Sequence, residues 1–197
     1  MAARVILAAA SPRRRELLAQ VGVRFEVVTS DVPELPAPAE LPAAFAQRVA
    51  RDKAAEVARR CPGALVLAAD TVVAVEATIF GKPRDRADAR RMLEALSGRT
   101  HEVLTAVALR TPAGDVEEVV VRSVVQFRAL TEREIEDYLD GSEPYDKAGA
   151  YAVQGHAQRF VVQVRGSYSN VVGLPVDEVR ELLRRHLGEA VVTPAVS

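Results

Sequence analysis

Arg13 and Arg14 follow Ser11-Pro12 directly at the end of an apolar run, Val5 to Ala10. The run reads as a buried strand. Ser11 suits a helix N-cap and Pro12 the first helical position. Arg13, Arg14 and Arg15 then fall in the first turn, where the helix dipole favours anions and disfavours cations. A bound polyanion resolves that conflict, because free backbone N–H groups and guanidinium forks converge on the same guest. A basic turn facing solvent is the plainer alternative.

Lysine usage adds to the signal. Of 26 basic residues only Lys53, Lys82 and Lys147 are lysine, the rest being arginine. A compact, rotatable ammonium suits a phosphate oxygen in a tight space. Lys53 fills the gap in an i, i+4 row of Phe45, Val49 and Val57, so it points toward the body of the protein or snorkels to water. Lys82 sits in the turn Phe80-Gly81-Lys82-Pro83. Lys147 lies in a polar stretch with Asp146 and Gln154.

Two carboxylates are interleaved with these cations. Glu34 lies in a proline-rich loop, Ser30 to Pro42, that also carries Asp31. Asp70 interrupts an apolar double run, Leu65–Ala69 and Val72–Val75. A buried carboxylate must be paired, hydrogen-bonded or metal-bound; a turn aspartate at a strand end is the alternative. Cations of this kind hold a polyphosphate, and carboxylates among them tolerate it when a divalent metal, Mg²⁺ or Mn²⁺, stands between. Hydrolysis then needs an activated water, for which a fixed carboxylate is the proton acceptor. Asp70, leaving a buried strand, is better placed for that role than Glu34.

The positioning elements follow from periodicity. Helices are expected over Pro12–Val21, Ala43–Arg60 and Arg86–Ser97, from the Thr131–Glu134 capping box to Leu139, and from Leu174-Pro175 to Gly188. Strands are expected at Val23–Val27, Leu65–Ala69 with its continuation, Glu102–Arg110, Val116–Leu130 and Phe160–Val164. Gly166–Asn170 reads as a small-residue loop. The fold class is α/β: one domain over residues 1–188, with a mixed, twisted sheet, flanking helices and a central cleft. Residues 189–197 are expected to form a flexible tail.

Bulk properties remove several classes. The net charge is −1 over 197 residues, so no broad basic face for nucleic acid is expected. A single cysteine, Cys61, excludes a disulfide framework and a cysteine-rich zinc site and points to the cytoplasm. No run approaches the roughly 20 apolar residues of a membrane span. Neither a G-x-x-x-x-G-K-[ST] loop, a G-x-G-x-x-G turn nor an H-E-x-x-H pair is present. His101, His156 and His186 are scattered and read as structural or solvated.

Six segments in order resemble the Maf family: Leu-Ala-x-x-Ser-Pro-Arg-Arg-x-Glu-Leu-Leu at 7–18, Ala-Asp-Thr at 69–71, Gly-Lys-Pro at 81–83, Leu-Ser-Gly-x-x-His-x-Val-x-Thr at 96–105, Asp-Lys-Ala-Gly-Ala-Tyr at 146–151 and Gly-Ser-Tyr-Ser-Asn-Val-Val-Gly-Leu-Pro at 166–175. The resemblance spans about residues 4–187. It implies an inosine-triphosphatase-like fold and hydrolysis of a nucleoside triphosphate to the monophosphate and pyrophosphate with a divalent metal. It places the proton acceptor on Asp70, the phosphate contacts on Ser11, Arg14, Lys53 and Lys82, and the metal on Glu34 and Asp70. Base choice falls on Arg13, Thr71 and Gln154, in a form similar to the dTTP/UTP branch; a glutamine offers a pyrimidine edge both a donor and an acceptor. The resemblance also implies a homodimer. Its departures, Ala8 for serine and Phe80 for leucine, remove no charge. Two other readings remain at this point: a nucleotide-sensing regulator of septum formation without essential turnover, and a purine-specific housecleaning enzyme.

Overall fold

The computed structural model describes residues 4–188. A seven-stranded sheet carries the fold, in the order β2 (Glu26–Val27), β1 (Val5–Ala8), β3 (Leu65–Val75), β5 (Thr100–Arg110), β6 (Val116–Phe127), β7 (Val161–Arg165), with β4 (Thr78–Phe80) paired to β3. Pairing is parallel on both sides of β1 and antiparallel elsewhere. The sheet is therefore mixed, as expected.

Alternation along β3 splits the core. Leu65, Leu67 and Ala69 face Leu7, Leu109 and the buried sides of α1 (Pro12–Ala19) and α6 (Val176–Leu187). Val66, Ala68, Val72 and Ala74 face α2 (Pro42–Arg60). Small residues on both partners, Ala68, Ala106 and Ala108 on the sheet and Ala46, Ala50 and Ala54 on the helix, let α2 lie close to the strands. The remaining core lies between the far end of the sheet, α3 (Arg86–Leu96) and α4 (Glu132–Leu139), and includes Phe127, Tyr151 and Phe160.

Several boundaries differ from the sequence expectation. Asp70 does not end a strand: β3 runs unbroken through it, with Asp70 opposite Ala106 and Thr71 opposite Thr105 on β5. Gly166–Asn170 is not a plain loop. Ser167 caps a short helix, α5 (Tyr168–Val172), by accepting from the Asn170 N–H. Ser11 stands at the N-cap of α1 but makes no side-chain capping bond, and α1 ends at Ala19. The second strand is confined to Glu26–Val27, and β6 stops at Phe127, ahead of Leu130. The polar stretch 143–160 forms three 3₁₀ turns. The expected tail 189–197 lies outside the described residues.

The third core region contains the one deeply buried histidine, His101, 2% exposed. Its ring stands edge-on to Phe127 and Tyr151, and Nε2 lies 2.7 Å from the Tyr151 hydroxyl. Burial pushes its pKa down to about 4. The unfolded chain binds this proton from about pH 6.5 downward and the folded chain only near 4, so acidification through that window favours unfolding. Lowering the pH from about 6.5 to about 4 therefore removes about 3 kcal/mol of stability through this one group. Denaturant unfolding from pH 7 to 4 is expected to show this loss, and His101→Gln to flatten the slope in that interval.

Candidate active site

The parallel and antiparallel parts of the sheet meet badly on one edge of β3, and that misfit makes the site. β1 pairs with β3 only as far as Ala68, while β4 takes up pairing from Val73. Between them, residues 69–72 have neither strand beside them. The chain leaving β1 passes through Ala9, Ala10 and Ser11 into α1 at this gap. A cleft of about 1130 Å³ opens there. It is reached from both faces of the sheet, so neighbouring residues on one strand, Asp70 and Thr71, both line it although their side chains alternate.

The residues to which the family resemblance gives roles all line this one cleft: Ser11, Arg13, Arg14, Glu34, Lys53, Asp70, Thr71, Lys82 and Gln154. Arg15 and Asp31 do not. Lys147 does, beside Asp146. Sequence reasoning missed Arg84, Arg91 and Met92, which also line it from the turn before α3 and from α3 itself. The spacing of Asp88, Arg91 and Met92 was their available signal, since it puts them on one helix face. Asp88 is buried and binds both Arg84 and Arg91, whose bonds hold its carboxyl down at about 2.

On the α2 face, Lys53 is an ammonium held between two carboxylates. Its Nζ lies 2.8 Å from Asp70 Oδ1 and 2.6 Å from Glu34 Oε1. Lys53 and Asp70 are 6% and 5% exposed, so the lysine does not snorkel to water and the aspartate is no turn residue. Lys82 Nζ reaches the other Glu34 oxygen at 3.3 Å. Burial works against ionising Glu34, but Lys53 and Lys82 outweigh it and hold its pKa below the ordinary value.

On the opposite face, Arg14 Nε donates to the Gly173 carbonyl at 2.9 Å and Nη2 to Thr71 Oγ1 at 3.0 Å. Gly173 closes α5 with φ of 129°, a conformation side-chain-bearing residues rarely adopt. Thr71 and Thr105 hydroxyls lie 2.9 Å apart, and Thr105 donates to the Asn170 carbonyl at 3.0 Å. Thr105 has a single hydrogen, so Thr71 must donate to Thr105 and accept from Arg14. A one-way chain results, from Arg14 through Thr71 and Thr105 to α5. The Asn170 amide extends it to Val103 O and Ser123 Oγ. Burial lowers the Arg14 pKa, opposed by attraction from Asp70 and Glu34. The guanidinium is thus fixed in orientation before any guest arrives.

The arrangement can hold a polyanion against Arg13, Arg14, Lys53 and Lys82 and present a carboxylate to it. Among the described residues no cluster of three or more His, Cys, Asp or Glu is placed to hold a metal. Glu34 and Asp70 nevertheless lie together, each giving one oxygen to Lys53 Nζ, so a divalent ion would share this carboxylate pair with the ammonium. Two converging carboxylates without a third protein ligand fit Mg²⁺, which takes one or two carboxylates and completes its shell with phosphate oxygens and water. No helix among the described residues is long and apolar enough to cross a membrane.

Comparison with known proteins agrees with this architecture. The family described as Maf-like protein matches residues 4–186. A protein of Anaeromyxobacter dehalogenans named dTTP/UTP pyrophosphatase is 54% identical over 188 residues, covering 94% of this chain and 95% of that one. A Vibrio cholerae protein of the same name is 49% identical, covering 92% and 97%. Among solved structures, the Ham1 protein of Staphylococcus aureus superposes with a TM-score of 0.53 at 12% identity, covering 93% of this chain and 99% of that one. A HAM1 protein from Coxiella burnetii gives 0.52 at 14%, also covering 93% and 99%. At such identities these two structures speak for the fold alone.

Proposed function

This chain belongs to the Maf family, and from that premise we propose that it hydrolyses dTTP and UTP to the nucleoside monophosphate and pyrophosphate. The observation that carries the reading is the convergence of Asp70, Lys53, Glu34, Arg14 and Lys82 on one cleft. Close relatives bearing the name dTTP/UTP pyrophosphatase over nearly the full chain support the choice of reaction and base.

In this reading Arg14 and Lys82, with Arg13 and Ser11, take the phosphate chain. Their charge is worth most in the transition state, when the departing pyrophosphate gains negative charge. Asp70 takes the proton of the attacking water. Lys53, bonded to its Oδ1, fixes the carboxylate. A divalent ion, held by Glu34 and Asp70, would supply charge neutralisation and a more acidic bound water. Gln154, exposed on the cleft wall, and Thr71 and Arg13 face the base. We place the work in the cytoplasm, as housecleaning of the nucleotide pool.

A purely regulatory, nucleotide-sensing role in septum formation has no comparable support, since a sensor has no need of a buried carboxylate clamped by a lysine. A panel of nucleoside triphosphates, pyrimidine and purine, assayed for pyrophosphate release with Mg²⁺ and with Mn²⁺, tests the proposal. Highest kcat/KM is expected for dTTP and UTP. Preference for a purine would overturn the choice of base, and absence of pyrophosphate with every nucleotide would overturn the reaction.

A further inference from the structure

Gln154 is exposed and its own side chain is long, so the backbone beneath it must be held if its amide is to discriminate between bases. The tongue 151–157 is held at both ends. At the start, the Tyr151 hydroxyl meets His101 Nε2 on β5. At the far end, the Glu143 carboxylate accepts the His156 N–H at 3.0 Å and the Ala157 N–H at 3.3 Å, and the Tyr138 hydroxyl from α4 at 2.8 Å. Between them, the Gly155 N–H donates to the Ala152 carbonyl at 3.1 Å, closing a tight turn with Gln154 as its third residue. Gly155 is required for closeness: a Cβ there would fall inside the van der Waals envelope of the Glu143 carboxylate.

Glu143 does not line the cleft, whereas Tyr151, Ala152, Val153 and Gln154 do. We propose that Glu143 is a positioning residue for base selection: by clamping the turn after Gln154 it sets the position from which the Gln154 amide reads the pyrimidine edge. The proposal rests on the reading that Gln154 faces the base. Specific amide recognition tolerates only about 0.5 Å of error in placement, which a turn pinned at both ends meets and a free one does not.

The test compares wild type, Gln154→Ala, Glu143→Ala, Glu143→Gln, Gly155→Ala and the double variant Glu143→Ala/Gln154→Ala. The readout is the ratio of kcat/KM for dTTP over dGTP, with kcat and KM separated. Gln154→Ala is expected to lower that ratio at least about tenfold. Glu143→Ala should lower it similarly, through KM for dTTP, with kcat at saturation nearly unchanged. Gly155→Ala should do the same, because its methyl group evicts the carboxylate without removing it. Glu143→Gln keeps one acceptor oxygen and should fall between. The double variant should be no less selective than Gln154→Ala alone.

If Glu143→Gln and Gly155→Ala keep full selectivity while Gln154→Ala loses it, the positioning role is overturned and the role of Gln154 stands. A uniform loss for every nucleotide, with a lowered Tm, would also overturn it, as that is what a merely structural carboxylate gives. If Gln154→Ala leaves the ratio unchanged, the base-reading role of Gln154 fails, and the proposal with it.

Discussion

Asp70→Asn is expected to abolish most pyrophosphate release from dTTP, by about 10²–10⁴-fold, while nucleotide binding survives. The asparagine has nearly the same shape and keeps an oxygen for the Lys53 ammonium, which also retains Glu34 at 2.6 Å. The fold should therefore change little, and the lost proton acceptor is isolated as the cause. Arg14 donates its hydrogen bonds to Gly173 and Thr71 on the other face of the sheet, so the loss of the attraction from Asp70 leaves those bonds in place. Its hold on phosphate should persist. Stopped-flow or calorimetric binding beside a pyrophosphate assay checks both halves. Turnover within a few-fold of wild type would remove Asp70 from the chemistry. If septation phenotypes persist in cells carrying only this variant, any such effect is not downstream of catalysis.

Lys53→Met is expected to damage both stability and turnover, through a different cause. Methionine matches the stem but removes the only cation between Asp70, 5% exposed, and Glu34. Breaking a buried ion pair by deleting one partner costs about 3–5 kcal/mol, because the remaining charge has no solvent to turn to. For a protein of this size that lowers Tm by about 10 °C. Turnover should fall with it, as Asp70 loses the bond that aims it. The double variant Lys53→Met/Asp70→Asn should regain a large part of the stability and none of the activity. Thermal unfolding of the set decides the matter; a Lys53→Met protein as stable as wild type would mean that the buried cluster carries no net charge coupling.

Much of this was legible in the sequence, for reasons particular residues make clear. The i, i+4 row of Phe45, Val49, Lys53 and Val57 could only be one helix face, and Lys53 is buried on it with the others. Asp70 sat inside an apolar double run, and the structure shows it on an interior strand. What was not legible is long-range or side-chain-made. The gap on the edge of β3 depends on where β1 stops pairing and β4 begins, which no local pattern records. Small polar residues at 166–170 favour turns, and only the Ser167 cap and packing on β5 and β6 make α5 a helix there. His101 was read as structural or solvated, and the structure makes it structural, buried and bonded to Tyr151, a partner that no local pattern names. Glu143 was one acid among many in a polar segment until Gly155 brought the backbone onto it.

The most direct test is the identity of the products. Phosphorus NMR of dTTP incubated with the enzyme and Mg²⁺ is expected to show dTMP and pyrophosphate rising together in equal amounts, with no dTDP at any time. Appearance of dTDP and inorganic phosphate would contradict the account, since it would mean that the cleft cuts the chain at its far end.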